Sequence, residues 1–219
     1  GAAGPRIPAG ITSRWSTSIR LIIRSSQGGV KMYQPDTLNP QTGLPLNFKI
    51  RDGRTVLVRH IRPDDANRLV DLFWCLSSET RWRRFFVPLD HVDPNLIWKT
   101  AQRLAAIDST RELALVAVIE QQGQEKIIAV ARFASDRTGE PGAECSIVVR
   151  DDYHGLGLGT HVFNLLIQAA RQRNLRQLVL LTQCDNLATL ALVRHTNVPH
   201  TMQLSSGYYE IHLELTNEV

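Results

Sequence analysis

The sequence lacks the long apolar run that a membrane-spanning helix requires. Such a helix needs about 18 or more consecutive apolar residues, whereas even the segment ELALVAVIE at residues 112–120 is short and begins and ends with a charge. Cysteine is also scarce, because the chain has only three, an odd number without the spacing of a metal site. This usage is typical of a reducing compartment rather than of a secreted disulfide framework. We therefore expect a cytoplasmic protein without a membrane partner.

Acidic residues are absent from the first 35 positions, which contain five basic residues. This segment is rich in Gly, Ser and Pro and has little periodic apolar pattern, as is typical of a disordered tail. A mitochondrial presequence has a similar composition, but the chain begins without methionine, and Met32 is an alternative natural start. We therefore predict a basic, disordered N-terminal extension over residues 1–50 and one folded domain over residues 51–219.

Apolar residues recur with regular spacing from about residue 52 onward. Their periods predict, in order, a strand within RTVLVRHIRP, three helices, a hairpin around QQGQ, a strand at AECSIVVR, a glycine-rich turn, a helix, a strand, a helix, and two closing strands around SSG. Asp64 and Asp93 stand where helix N-caps are expected, and Pro94 stands at a first helical position. This order of elements predicts a mixed α/β (α+β) domain.

The stretch DDYHGLGLGT, residues 151–160, places three glycines at alternate positions between a predicted strand and a predicted helix. The helix is amphipathic and starts close to Gly157. Its first backbone N–H groups have no partner within the helix, so with the helix dipole they form an anion site that glycines leave open to a pyrophosphate. The spacing matches neither a dinucleotide-binding fingerprint nor a P-loop. A tight turn without a ligand is therefore the alternative interpretation.

The predicted order of elements, together with the run from His154 to Gly159, resembles the GNAT superfamily of N-acetyltransferases over residues 54–215. The segment 143–195 is the most specific part of the resemblance. Within the superfamily, residues 61–86 resemble the acetyltransferase domain of bacterial Pat-type protein lysine acetyltransferases. The resemblance implies a mixed, mostly antiparallel sheet that is splayed between its fourth and fifth strands and flanked by helices. It also implies acetyl transfer from acetyl-CoA to an amine.

The resemblance assigns roles to particular residues. Glu144, on the strand before the glycine turn, is the implied general base, and strand alternation separates it from Cys145; an ordinary solvated glutamate is the alternative. Asn186 is implied to contact the pantetheine arm, although it is also a good N-cap. A backbone N–H between Ile147 and Val149 is the implied oxyanion donor. The implied cofactor-binding residues are Ile147, Val148, Val149, His154, Gly155, Leu156, Gly157, Leu158, Gly159, Thr160 and Asn186.

Three departures separate this sequence from the family's pattern. His154 replaces the usual Arg or Gln, and Leu156 stands where a basic residue is common, so phosphate binding relies more on backbone amides. Residues 196–198 read Thr-Asn-Val in place of Leu-Gly-Phe, although Asn preserves the helix stop. The last helix carries no tyrosine to protonate the leaving thiolate. The thiolate then leaves unaided, or Tyr208 or Tyr209 supplies the proton.

Two functions of different class follow from these observations. The first is an N-acetyltransferase acting on a protein lysine or on a small-molecule amine, and the second is a catalytically weak acyl-CoA-binding regulatory module. We expect no metal, because the pairs His154 and His161, and His195 and His200, have no carboxylate or cysteine at ligand spacing. The segment RWRRFF at residues 81–86 is either a single-stranded nucleic-acid platform or a core-facing helix, of which we predict the helix, with no nucleic-acid partner. The protein is expected to be a monomer or a homodimer.

Overall fold

The computed structural model describes residues 43–135 and 141–215, so most of the predicted N-terminal extension lies outside the described residues. Five α-helices in the described part of the chain are α1 (Ala66–Cys75), α2 (Ser78–Phe85), α3 (Pro94–Ala105), α4 (Leu158–Gln172) and α5 (Leu187–Arg194). The strands are β1 (Leu46–Lys49), β2 (Thr55–His60), β3 (Glu112–Gln121), β4 (Gln124–Ala134), β5 (Gly142–Val149), β6 (Gln177–Gln183), β7 (His200–Ser205) and β8 (Tyr208–Glu214). Short 3-10 turns at Pro63–Asp65 and Asp151–Tyr153 precede α1 and the glycine turn.

The described strands form one sheet in the order β1-β2-β3-β4-β5-β6-β8-β7. Neighbouring strands are antiparallel except β5 and β6, which run parallel and are joined through α4. Their pairing covers only Gly142–Cys145 against Gln177–Leu180. Beyond it β5 continues beside β4, and β6 continues beside β8. The mixed, splayed and helix-flanked sheet is therefore confirmed, and the fourth and fifth predicted strands are β5 and β6.

Strand β1 was not predicted from the sequence. Three of its four residues are exposed, so its pattern lacks the apolar alternation that marks a half-buried strand. Its partly buried Phe48 stacks on His161 of α4, with ring centroids 3.6 Å apart. Because β1 pairs with β2 over Leu46–Lys49, the sheet begins before residue 51, within the segment that the sequence assigned to the extension.

The helices cover both faces of the sheet. Along β3, Leu113 and Leu115 pack in the cluster that contains the buried residues of α4 and α5, whereas Ala114 and Val116 pack against α1 and α3. Alternate residues of a strand face opposite sides, so both faces of β3 are buried. This explains why β3 reads as a continuous apolar run rather than as an alternating one.

A buried ion pair joins β2 to the start of α1. The guanidinium of Arg59 donates to both carboxylate oxygens of Asp65, at 2.8 and 2.9 Å, and both side chains are fully buried. Asp65 also accepts from the backbone N–H of Arg62. The N-cap position is therefore one residue later than predicted, at Asp65 instead of Asp64. The Asp65 side chain makes no cap hydrogen bond, because its carboxylate accepts from Arg59 and Arg62.

Helix starts elsewhere follow the sequence closely. Asp93 accepts from the backbone N–H of Asn95, with Pro94 in the first turn, so both predictions for α3 are confirmed. Ser77 caps α2 by accepting from the N–H of Thr80. In α2 Phe85 packs against the cluster around Phe73, and Phe86, the residue after the helix, is buried, whereas no residue within α2 itself is fully buried. The interpretation of this segment as a core-facing helix is therefore confirmed.

Candidate active site

An open cleft of about 790 Å³ lies where β5 and β6 separate. Its walls are β5, β6, α2, the glycine turn with the start of α4, and α5. Ten of the twelve site residues predicted from the sequence line it: Glu144, Ile147, Val148, Val149, His154, Gly155, Gly157, Gly159, Thr160 and Asn186. One cavity thus brings together residues from three separate segments of the chain.

The remaining two predicted residues, Leu156 and Leu158, do not line the cleft with their side chains. Leu158 is fully buried in the core beneath the sheet, and Leu156 packs against the same core. The carbonyl of Leu156 accepts from the backbone N–H of Arg51 at 3.2 Å. Any contact of Leu158 with a ligand is therefore restricted to its backbone N–H at the first position of α4.

Two glycines of the turn are required by the backbone conformation. Gly155 and Gly157 have φ of +72° and +83°, in the left-handed region that favours glycine. Gly157 is also the N-cap residue of α4, and without a side chain it makes no side-chain cap. The predicted helix start near Gly157 is therefore confirmed, and the first N–H groups of α4 stay available to an anion.

Replacing Gly157 by alanine is expected to lower the free energy of unfolding by about 1–2 kcal/mol, because an L-residue is strained at this φ. Gly159→Ala is the matched control: Gly159 has no left-handed φ, and an added Cβ would meet Val149 at an ordinary 3.5 Å. Urea unfolding of both variants measures the difference. Equal stabilities would contradict the assignment of strain to Gly157.

Arg51, which the sequence analysis missed, supplies a positive charge beside the glycine turn. Its guanidinium donates to the carbonyl of Gly155 at 3.1 Å, and its side chain lines the cleft. Arg51 lies in the turn between β1 and β2, so no local spacing links it to the glycine turn. His154 is oriented differently: its Nε2 lies 2.8 Å from the carbonyl oxygen of Val149 and, since a carbonyl only accepts, donates to it.

Glu144 lines the cleft from β5 and is half-buried. It shares a sheet face with Ser146 and Val148, whereas Cys145 lies on the opposite face in the core. Burial raises the pKa of the Cys145 thiol, so the thiolate required of a nucleophile is disfavoured. The alternation predicted for β5 is confirmed, and it leaves Glu144 as the carboxylate of this strand that lines the cleft.

Two arginines face Glu144. Burial and the neighbouring charge of Arg132 lower the pKa of Arg84 to about 10, and Glu144 opposes this shift. Burial also lowers the pKa of Arg132, against the carboxylates of Glu112 and Glu144. Both guanidinium groups remain cationic at neutral pH. The carboxylate of Glu144 therefore lies in a positively charged environment on the side of the sheet covered by α2.

Helix α2 spans the cleft and is attached near both ends. At its start, the carboxylate of Asp151 accepts from the N–H and hydroxyl of Ser77 and from the hydroxyl of Thr80, at 2.7–2.9 Å. Burial raises the pKa of Asp151, but these hydrogen bonds outweigh it and the pKa is lowered overall. At its other end, Arg83 donates to Asp185, after β6, at 3.2 Å. These polar contacts hold α2 against the segments that follow β5 and β6.

Asn186 caps α5, because its Oδ1 accepts from the backbone N–H of Thr189 at 3.2 Å. The cap interpretation is thus confirmed, and the same residue lines the cleft. The two tyrosines considered as acids do not line it. Tyr208 is buried edge-on against Phe86, and burial raises the pKa of its hydroxyl. Tyr209 packs against the core.

Residues 43–135 and 141–215 contain neither a metal-type cluster of side chains nor a membrane-type helix. No three His, Cys, Asp or Glu side chains in these ranges are grouped so that they could hold a metal ion. No helix in the same ranges has the length and apolarity needed to cross a membrane.

Comparison with known families identifies the type of protein that has this arrangement. Residues 76–196 match the model of the acetyltransferase (GNAT) family. The acetyltransferase PA5475 of Pseudomonas aeruginosa is 32% identical over 137 residues, which are 63% of this chain and 71% of that protein. The acetyltransferase Pat of Mycolicibacterium smegmatis is 27% identical over 146 residues, 66% of this chain but 41% of Pat. This chain therefore spans less than half the length of that relative.

The fold has a counterpart among solved structures. The GNAT domain of S. lividans PAT superposes with a TM-score of 0.67 at 24% sequence identity, over 77% of this chain and 96% of that domain. Together with the match to Pat, this similarity confirms the resemblance to Pat-type acetyltransferase domains that residues 61–86 indicated.

Proposed function

The chain belongs to the GNAT family of acetyltransferases, and from this membership we propose that it moves an acetyl group from acetyl-CoA to a protein lysine with Glu144 as general base. The observation that carries the proposal is the position of Glu144 and of the glycine turn at opposite ends of one strand, β5, in one cleft. Residues 144 and 149 are five positions apart, about 17 Å along an extended strand. An anchored phosphate group and a reacting thioester separated by an extended arm fit this spacing.

The donor is held by the chain's own backbone and by Arg51. The first N–H groups of α4 bind the pyrophosphate, and the positive end of the helix dipole favours its charge. Arg51 compensates for the neutral Leu156 and for His154, whose Nε2 is directed at Val149. Since β5 pairs with β6 only as far as Cys145, the edge of residues 146–149 facing β6 accepts hydrogen bonds from, and donates them to, the amides of the arm. Asn186 adds its amide N–H donors from the opposite wall.

Glu144 removes the proton that prevents attack. A lysine side chain has a pKa near 10.4, so fewer than about one in a thousand is the free amine at neutral pH. The amine nitrogen bonds to the acyl carbon while its proton passes to the carboxylate of Glu144, directly or through water. A backbone N–H of residues 147–149 stabilises the oxyanion. The carbon–sulfur bond then breaks, and CoA leaves as a thiolate that takes up a proton.

The leaving group does not require a tyrosine in this proposal. Tyr153 lines the cleft, but its hydroxyl accepts a hydrogen bond from Arg54 at 2.6 Å, so it belongs to the support of the glycine turn. A thiol has a pKa of about 8.5, so the thiolate leaves without prior protonation. Arg84, facing Glu144, adds a positive charge that stabilises the developing anion.

The acceptor is proposed to be a protein lysine rather than a small-molecule amine. The similarity of residues 61–86 to Pat-type domains supports this choice, because those residues contribute α2, which lines the cleft. A cytoplasmic location and a monomeric or homodimeric state remain predictions from the sequence. The regulatory module that binds acyl-CoA without transfer is the outcome that a failed transfer assay would favour.

The proposal is tested by calorimetric titration of the full chain with acetyl-CoA, followed by an assay of free-thiol release with a protein extract as acceptor. Binding with thiol release is expected. An extract whose lysines have been blocked by reductive methylation is the control, and it should give no release. Binding without release from either extract would favour the regulatory module, and an absence of binding would contradict the assignment of the glycine turn.

A further inference from the structure

A second, smaller cavity of about 80 Å³ lies on the face of the sheet covered by α1, α2 and α3. We refer to it as the side cavity. Apolar side chains of the three helices line it from above, and Val130 and Val148 line it from the strands. Val148 and Arg84 line both the side cavity and the main cleft, so the two are continuous at this point.

Only two charged residues line the side cavity, and both are arginines. Arg132 is 5% exposed and donates to Glu112 at 2.6 Å. The guanidinium of Arg84 lies over the ring of Phe85, 5.2 Å from its centroid, and interacts electrostatically with Glu144, but it makes no hydrogen bond with a residue in the described part of the chain. A guanidinium carries five donors, and leaving them without partners at a desolvated site costs free energy. The side cavity therefore presents a guanidinium whose hydrogen-bond donors are unused within apolar walls, with Glu144 as the neighbouring carboxylate.

A hydroxyl without a partner lies beside these arginines. The buried Oγ of Ser146 has no hydrogen-bond partner among the described residues. Ser146 lies directly opposite Arg132 in the pairing of β4 with β5, so their side chains are neighbours on one face. The hydroxyl, which lines the main cleft, is thus a further donor on the strand position opposite Arg132.

Cationic donors inside apolar walls match a carboxylate on a short aliphatic chain. A guanidinium binds the two oxygens of a carboxylate as a planar fork. A lysine ammonium is repelled by the same two arginines, so the side cavity is unsuited to the proposed acceptor. The donor's acyl group is the other reacting partner, and Val148 on β5 leads from the donor's arm into the side cavity.

We propose that the protein also transfers acyl groups that end in a carboxylate, held in the side cavity by Arg84 and Arg132, with the hydroxyl of Ser146 at the adjoining wall of the main cleft. The inference rests on the proposed function, because it uses the same donor arm and the same base. With succinyl-CoA, the amine nitrogen bonds to the thioester carbon and the amine proton passes to Glu144, while the carbon–sulfur bond breaks and CoA leaves as a thiolate that takes up a proton. The terminal carboxylate takes no part in the bond changes and serves only as the recognised group.

Binding of succinyl-CoA and butyryl-CoA tests the inference, since both acyl groups have four carbons and differ in the terminal carboxylate. Calorimetry should give a Kd for succinyl-CoA at least about tenfold lower than for butyryl-CoA. Unmodified CoA is titrated in parallel. If CoA binds while the two acyl donors bind equally, the inference is overturned and the proposed function stands; if CoA fails to bind, the proposed function fails first.

Variants of α2 assign the preference to Arg84. Arg84→Met should reduce the ratio of the two Kd values to about one while CoA affinity is retained. Arg84→Lys, which keeps the charge, should retain part of the preference and guards against a variant that fails to fold. Arg81→Met is the matched control, because Arg81 lies on the same helix but lines neither cavity. A tenfold preference that survives in Arg84→Met would overturn the inference.

A further experiment tests whether the side cavity binds a carboxylate of the acceptor instead of one on the acyl group. With acetyl-CoA as donor, thiol release is compared for 4-aminobutyrate and n-butylamine. Equal rates per free amine are expected, because the inference places the carboxylate on the donor. Faster reaction of 4-aminobutyrate, lost in Arg84→Met, would overturn the inference by moving the recognised group to the acceptor.

Discussion

Replacing Glu144 by glutamine is expected to lower the rate of acetyl transfer by about 10²–10⁴-fold, the usual contribution of a positioned general base. Glutamine keeps the size and polarity of the side chain but cannot take up a proton at neutral pH. The phosphate site lies at the other end of β5, so the affinity for acetyl-CoA should be unchanged. Initial rates of thiol release and calorimetric Kd values for both proteins separate the two effects.

The pH dependence of this loss distinguishes a base from a merely structural group. As the pH approaches the lysine pKa of about 10.4, an increasing fraction of the acceptor is already the free amine. The ratio of wild-type to Glu144→Gln rates should therefore fall steadily between pH 7 and pH 10. Glu120→Gln, at the exposed end of β3, is the control and should match the wild type. A Glu144→Gln rate equal to the wild-type rate at pH 7 would exclude Glu144 as the base.

The largest effect on stability is expected at Asp65. Asp65→Ala leaves the fully buried guanidinium of Arg59 without its bidentate partner, and removal of one member of a buried pair costs about 3–5 kcal/mol. Glu125, which also accepts from Arg59, offsets part of this cost. Because domains are stable by only about 5–15 kcal/mol, urea unfolding should show a large shift of the midpoint. Asp64→Ala is the matched control: its carboxylate is 68% exposed and 3.4 Å from Arg68, so its loss should cost less than about 1 kcal/mol.

Acid should remove the same contribution from the wild-type protein. Burial raises the pKa of Asp65, but the hydrogen bonds from Arg59 and from the N–H of Arg62 outweigh it, so the pKa is lower in the folded state than in the unfolded chain. The stabilisation is present above the unfolded pKa of about 3.9 and is lost as the pH falls through the lower folded value. The difference in unfolding free energy between wild type and Asp65→Ala should therefore shrink below about pH 4. A difference that is constant with pH would exclude the ion pair as its cause.

Local patterns account for the parts of the fold that were predicted. The apolar face of α4, the Asp93–Pro94 start of α3 and the QQGQ turn each have their cause within a few neighbouring residues. Strand β1 lacks such a signal, because its exposed residues leave no alternation, and its position depends on pairing with β2 and on the stacking of Phe48. The spacing of apolar residues in a sequence reflects which side chains are buried, so an element with few buried side chains cannot be predicted from that spacing.

Some residues of the candidate site were likewise predictable from local sequence, and others were not. Glu144 and Cys145 lie on opposite faces of β5, which follows from the two-residue period of a strand and was predictable. Arg51 and Arg84 reach the cleft from turns and helices that are distant in sequence, so their positions depend on the packing of the whole domain. Leu158 shows the converse case: a residue inside a functional motif whose side chain serves the core.

The short pairing between β5 and β6 has a thermodynamic consequence. Only four positions of each strand join β1–β5 to β6–β8, so the hydrogen-bond ladder of the sheet is interrupted beyond Cys145. In the binding mode we propose, a donor along that edge acts as a short additional strand and completes the ladder, and its binding free energy is then added to the cohesion between the two halves of the domain. At a concentration of 100 times its Kd, such a ligand stabilises the native state by about 2.7 kcal/mol. Cosubstrate supply and the lifetime of the folded protein are thereby linked.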